Sequence, residues 1–252
     1  MGKYFWLLAA LLFGTASFSQ PTQIYVRAKA KDAKFIGSSI GGALIVFRKA
    51  DTGEILAQGL TEGGTGNTNL IMSTPHERYK PIATDGAAKF EALLNLPEPT
   101  FVTIEAHAPF TRKQATAIAT TQLWLIPGKH ILGEGIVLEI PGFIVDVLAP
   151  RTHQAVSLKN SGGKVAIEVN VVMMCGCTVS PGGLWDGEGF DVKAWLKKDG
   201  KRLAEVKLNN TANNTFTGEA RPTEAGNYEI IVYAFDPKTG NSGVDKVNFV
   251  VE

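Results

Sequence analysis

The chain has 252 residues, 44% of them hydrophobic and 19% charged, enough to bury one or two cores and too apolar for a disordered tail. Lys and Arg number 25 against 24 Asp and Glu, a formal charge of +1, which argues against a nucleic-acid binder. Two cysteines exclude a disulfide scaffold, and 27 glycines and 12 prolines without a long amphipathic pattern point to a turn-rich, all-β chain.

Lys3 is followed by the apolar run Phe5-Trp6-Leu7-Leu8-Ala9-Ala10-Leu11-Leu12-Phe13, and Ser17-Phe18-Ser19 places small residues before Gln20. That is the pattern of a secretory signal peptide over 1–19, with an apolar core too short to span a bilayer as a helix. Cleavage removes one lysine and no acid, leaving 24 bases and 24 acids. The expected location is periplasmic or extracellular, with no transmembrane segment, no polybasic membrane patch and no nucleic-acid partner.

In the mature chain, Gln23–Ala28 alternates as a strand, and Gly42–Arg48 reads as a more buried one. Asp51-Thr52-Gly53-Glu54 is a turn, returning through Ile55–Leu60 as a hairpin. Residues 61–86 read as a long irregular loop holding Gly63-Gly64-Thr65-Gly66-Asn67, Pro75 and Pro81. Strands are expected over 88–93, 101–108, 114–126, 136–140 and 143–148. The rhythm restarts after Ala149-Pro150, with strands over 164–173, 190–196, 203–208, 228–235 and 246–251 and a polar loop over 209–214. Short strands separated by turn chemistry imply tandem β-sandwiches, expected at 20–148 and 149–252.

The segment Gly42-Ala43-Leu44-Ile45-Val46, with Asp51-Thr52-Gly53-Glu54-Ile55-Leu56-Ala57 and Gly59-Leu60-Thr61, resembles carboxypeptidase-regulatory-like (transthyretin-like) sandwiches. The catalytic His and Arg motifs and the C-terminal Tyr-Arg-Gly-Ser of transthyretin-like hydrolases do not appear, so that activity is not implied. In the second half, Glu224-Ala225-Gly226-Asn227-Tyr228-Glu229-Ile230, Ala234-Phe235-Asp236 and Phe249-Val250-Val251 are similar to bacterial immunoglobulin-like domains. That resemblance implies a fold and no particular ligand.

Met173-Met174-Cys175-Gly176-Cys177 is the segment that carries chemistry, because both cysteines fall within it. If the strand continues, Cys175 and Cys177 share one face about 7 Å apart. Two thiolates with thioethers from Met173 or Met174 form a soft donor set suited to copper(I). Two other readings stand beside it: buried or disulfide-bonded cysteines in a structural or protein-interaction module, and a thiol redox pair. The Gly-rich loop 180–189 displays Trp185, read either as a shield for a metal or as a plug at the end of the sandwich. His76, His107, His130 and His153 lack paired metal spacing; His130 and His153 are the candidates to approach the cysteines, and Met72 with His76 is a weaker copper pair if that loop is helical. Asp186, Glu188 and Asp191 read as turn acids before they read as a glycosidase pair. No nucleophile elbow, P-loop, metalloprotease or nucleotide fingerprint appears, so the expected function is a non-catalytic binding or accessory protein acting on another periplasmic or cell-surface protein.

Overall fold

The computed structural model describes residues 20–252; the expected signal peptide lies outside them. The described chain is all-β, as the alternating pattern predicts, with sixteen strands in four sheets. In the first half these are β1 (Gln20–Ala30), β2 (Leu44–Lys49), β3 (Ile55–Leu60), β4 (Phe90–Leu96), β5 (Thr100–Ala108), β6 (Ala117–Leu125) and β7 (Ile131–Ile140). The second half holds β8 (Phe143–Ala149), β9 (Ala155–Val156), β10 (Val165–Met173), β11 (Asp191–Lys198), β12 (Lys201–Lys207), β13 (Asn209–Ala212), β14 (Thr215–Ala220), β15 (Gly226–Phe235) and β16 (Ser242–Val251).

Strand order is β4-β1-β7 and β3-β2-β5-β6 in the first half, and β13-β14-β10-β8 and β12-β11-β15-β16-β9 in the second. Each half is thus a sandwich of two sheets, and their buried faces join in one continuous hydrophobic cluster. Within it, β15 turns Tyr228, Ile230, Val232 and Ala234 inward, each at most 2% exposed. The isoleucine and valine among them contribute about 1.5–3 kcal/mol each when fully buried. Tyr228 also donates its hydroxyl to the Glu224 carbonyl at 2.9 Å, closing the corner before β15. A tyrosine bonded back to upstream backbone at a strand entry is an immunoglobulin-type corner, in agreement with the resemblance drawn on these residues.

Pairing differs from the expected division in one respect. All of β8 but Ala149 lies inside the span 20–148, but it pairs antiparallel with β10 from Met173↔Phe143 to Glu168↔Ala149. Hydrogen bonding therefore crosses from one sandwich to the other at Pro141-Gly142, before β8 rather than after it. The Ala149-Pro150 break ends β8 and does not divide the sheets.

Three local readings change as well. Residues 209–214, expected as a polar loop, supply the short edge strand β13 on β14. β7 begins at Ile131, five residues before the expected strand, because a bulge over Leu132–Gly135 separates Ile24↔Ile131 from Val26↔Ile136. Gly133 and Gly135 in that bulge have φ of +68° and +71°, a backbone that side chains rarely adopt. In the long loop a short helix, Thr68–Met72, is capped by Asn67, whose side chain accepts from the Leu70 N–H at 2.9 Å.

No helix of the described residues is long and apolar enough to cross a membrane.

Candidate functional site

The strand β10 does not run on through the cysteines. It ends at Met173, and the chain reverses over Met174 and Cys175. Gly176 donates its N–H to the Met173 carbonyl at 2.7 Å, and Met173 donates to the Cys177 carbonyl at 3.2 Å. Val172 then bridges Thr178. Gly176 sits at φ +74°, the left-handed position that a tight hairpin of this length requires. The reversal brings the cysteine Cα atoms to 5.4 Å, and Cys175 and Cys177 form a disulfide. The extended spacing of about 7 Å expected for a continuing strand is therefore replaced by a turn.

All four sulfur residues face inward: Met173 is 1% exposed, Met174 3%, Cys175 1% and Cys177 8%. Met174 reaches toward Gly142, where a Cβ would stand 2.9 Å from its Cε. Ile40 of the first sandwich lies against Gly176. The turn is thus packed at the junction of the two halves. With both sulfurs bonded to each other, the pair presents no thiolate, and the copper set Met173, Met174, Cys175 and Cys177 does not fit a metal in this oxidation state. Among the described residues no group of three or more His, Cys, Asp or Glu side chains is placed to hold a metal ion.

Trp185 is buried and donates its indole N–H to the Asp32 carbonyl at 2.8 Å. It plugs the sandwich, and the element it meets belongs to the other half of the chain. Asn241, fully buried, is a second fastening: its Oδ1 accepts from the Gly142 N–H at 2.8 Å and its Nδ2 donates to the Lys31 carbonyl at 3.1 Å. Asp32 carries φ +54° beside these contacts. Partial burial first, and then the nearby Asp236 carboxylate, hold the Asp32 carboxyl above the ordinary range.

Two of the histidine rings are engaged elsewhere. His130 accepts the Gln23 backbone N–H at 3.0 Å, and His107 lies 3.0 Å from Glu105. His153 sits in a loop, its backbone N–H donating to the Asn248 carbonyl at 2.7 Å. Met72 ends the short helix and His76 lies beyond it, so the two are not successive turns of one helix. Asp186 accepts from the Gly182 and Glu188 N–H groups at 3.1 Å each, and Asp191 pairs with Lys193. These acids are turn and ion-pair groups rather than a facing catalytic pair.

Arg27 is a residue that strand alternation conceals. It is 5% exposed and donates Nη1 to the carbonyls of Ala87 and Ala88 at 2.6 and 2.9 Å. Its Nε donates to the Glu134 carbonyl at 3.1 Å and its Nη2 to the Gly133 carbonyl at 3.3 Å, with Phe35 stacked below at 5.5 Å. One guanidinium therefore holds the end of the long loop and the β7 bulge. Burial pulls its pKa below the ordinary arginine value, and the Glu134 charge pulls the other way.

On the outer face of the first sandwich, Trp124 packs on Phe101 with ring centroids 5.1 Å apart. An open cleft of about 450 Å³ there is lined by Lys49, Asp51, Glu98 and Gln122 together with these aromatics.

No protein-family model and no curated protein matches this sequence. Among solved structures, the chain is similar to fibronectin(III)-like modules of Clostridium thermocellum CbhA, at 13% identity over 92% of this chain and 94% of that one, TM-score 0.30. It is also similar to an engineered protein, at 15% identity over 51% of this chain, TM-score 0.33, and spans only 24% of that chain's length. The C-terminal domain of the Streptococcus pyogenes antigen I/II-family protein AspA matches at 8% identity over 92% of this chain and 99% of that one, TM-score 0.23. Likenesses this distant say nothing about function. Sheet order and the Tyr228 corner define the class: a pair of β-sandwiches, the second immunoglobulin-like.

Proposed function

We propose that the protein is a secreted, non-catalytic β-sandwich module that acts by presenting its surfaces to another periplasmic or cell-surface protein, with Cys175–Cys177 as a structural staple. The observation that carries this reading is the closed turn itself. The two cysteines, which hold the sequence's best candidate chemistry, are bonded to each other, buried, and packed on Ile40 of the other sandwich. A disulfide also fits an oxidising compartment, as the signal-like leader does. The first half is read as a carboxypeptidase-regulatory-like sandwich, supported by its three-on-four sheets and by the β2–β3 hairpin around the Asp51–Glu54 turn.

Free-thiol titration of the denatured, unreduced protein is the test. No titratable thiol is the expected result, and two thiols per chain would remove the staple. The copper(I) and redox readings belong to the reduced protein, in which four sulfur residues within five positions supply soft donors. Anaerobic copper(I) titration of reduced protein against a Cys175→Ser/Cys177→Ser variant separates them from the staple. Equal uptake by both proteins eliminates the cysteine metal site.

A further inference from the structure

Several sheet edges among the described residues are protected by different means. β12 carries four charged residues, Lys201, Arg202, Glu205 and Lys207, in a strand of seven. β13 and β9 are four and two residues long. β3 is covered where the Phe90 ring closes on Gly59 and Glu62 bridges Lys89. β8 is covered by β16, with the Val147 N–H on the Asp245 carboxylate at 2.8 Å. Charge, shortness and cover are the usual ways in which an edge is kept from pairing.

β6 has neither charge nor shortness, and β7, which passes near it, does not pair with it. Its sequence, Ala117-Ile118-Ala119-Thr120-Thr121-Gln122-Leu123-Trp124-Leu125, is nine residues without a charge, a proline or a glycine. Its only strand partner among the described residues is β5, so its other side is the open end of the sheet. Ile118 and Trp124, both on the outer face, are 58% and 61% exposed. The strand is also held in place: the Gln114 amide just before it donates to Asp146 of β8 at 2.8 Å.

We propose that β6 pairs with β6 of a second copy of this chain, antiparallel about a two-fold axis at Thr121, joining two four-stranded sheets into one of eight. What selects a second copy is the order of residues in the strand. About Thr121, Ile118 falls opposite the partner copy's Trp124 and Trp124 opposite its Ile118, so both exposed apolar groups are covered. Thr120 falls opposite Gln122. On the inner face Ala119 meets Leu123, Ala117 meets Leu125, and Thr121 meets itself. Aromatic with β-branched, threonine with threonine, and small with large are favourable cross-strand pairs, and opposed residues in an antiparallel pair share a face. A two-fold contact must match a patch to itself, which this strand does. The proposal is independent of how the cysteines are used.

The test is sedimentation velocity of the purified full protein from micromolar to sub-millimolar concentration, with two double variants. Thr120→Lys with Gln122→Lys sets like charges opposite each other twice across the axis, while Thr120→Lys with Gln122→Glu sets opposite charges there. Both positions are exposed, and circular dichroism confirms folding. The expected result is a concentration-dependent dimer for the parent, about tenfold or more weaker in the like-charged variant and retained in the oppositely charged one. A parent that stays monomeric throughout overturns the proposal. So does a like-charged variant that dimerises as the parent does, and so does a folded, oppositely charged variant that is monomeric.

Discussion

Replacing Arg27 by alanine removes one side chain and four hydrogen bonds, and the cost follows from what those bonds hold. The guanidinium donates to Ala87, Ala88, Gly133 and Glu134, all backbone carbonyls, and no carboxylate lies on it as a direct ion-pair partner. A hydrogen bond from a charged donor contributes roughly 1.5–3 kcal/mol net. The four are not additive, because carbonyls at the mouth of the bulge regain water and because burying the cation itself has a cost. The stacking on Phe35 adds a fraction of a kcal/mol to about 2 kcal/mol. Arg27→Ala is therefore expected to lower unfolding stability by about 3–5 kcal/mol, a large share of the 5–15 kcal/mol typical of a folded protein. Arg27→Lys keeps the charge but not the planar fork, so it retains fewer acceptors and falls between the two. Equilibrium urea unfolding measures the loss. Limited proteolysis then asks where it falls, with cleavage expected first in residues 61–86, whose exit Arg27 holds. A loss below 1 kcal/mol, or an unchanged cleavage rate in that loop, would refute the anchoring role.

Reduction of Cys175–Cys177 is expected to destabilise only mildly, by about 1.6 kcal/mol for a closed loop of roughly three residues on the chain-entropy estimate; outright unfolding on reduction, read by circular dichroism, would contradict a local staple. Trp185→Phe keeps an aromatic ring there but deletes the bond to the Asp32 carbonyl and part of the buried indole, at a cost of at least about 1 kcal/mol. Calorimetry should show one transition for the parent, whose two halves share a core, and a broadened or split one for the variant; an unchanged trace would mean that the indole bond does not couple the halves. Asp32→Asn is expected to raise the melting temperature near pH 7. A carboxyl with a raised folded-state pKa binds its proton more tightly when folded, so stability falls as pH rises from the unfolded value through the folded one. Asparagine escapes that fall and tolerates the φ of +54°, so the gain should shrink as pH drops through the raised folded value and be gone below the ordinary carboxylate value of about 3.9. A gain that grows on acidification would reverse the sign of the argument.

Much of the fold is legible in the chain because its signals are local. Alternation at period two sets which residues of β10 and β15 face inward, and Asp-Thr-Gly-Glu over 51–54 makes its hairpin wherever it is placed. The Tyr228 corner is local too, since its acceptor lies four residues upstream. Placing two cysteines within three residues was enough to mark the candidate site, but not to say what it is. A strand and a tight turn both suit Met-Met-Cys-Gly-Cys, and the choice depends on the Val172–Thr178 bridge and on Gly176 taking the left-handed region. Alternation places Arg27 on the face opposite Val26 and Ala28 and so conceals its burial, because its acceptors lie 60 to 107 residues away. The Asp32 carbonyl that receives Trp185 lies 153 residues from it. Such partners are brought together only when the sheets stack. The pattern of apolar residues depends on each strand having a buried face, whereas the choice of sheet for β8, the closure of the disulfide turn and the openness of the β6 edge depend on which other strands arrive beside them. Those were decided by the tertiary structure, because the hydrogen bonds and packing that determine them join residues with no local signal in common.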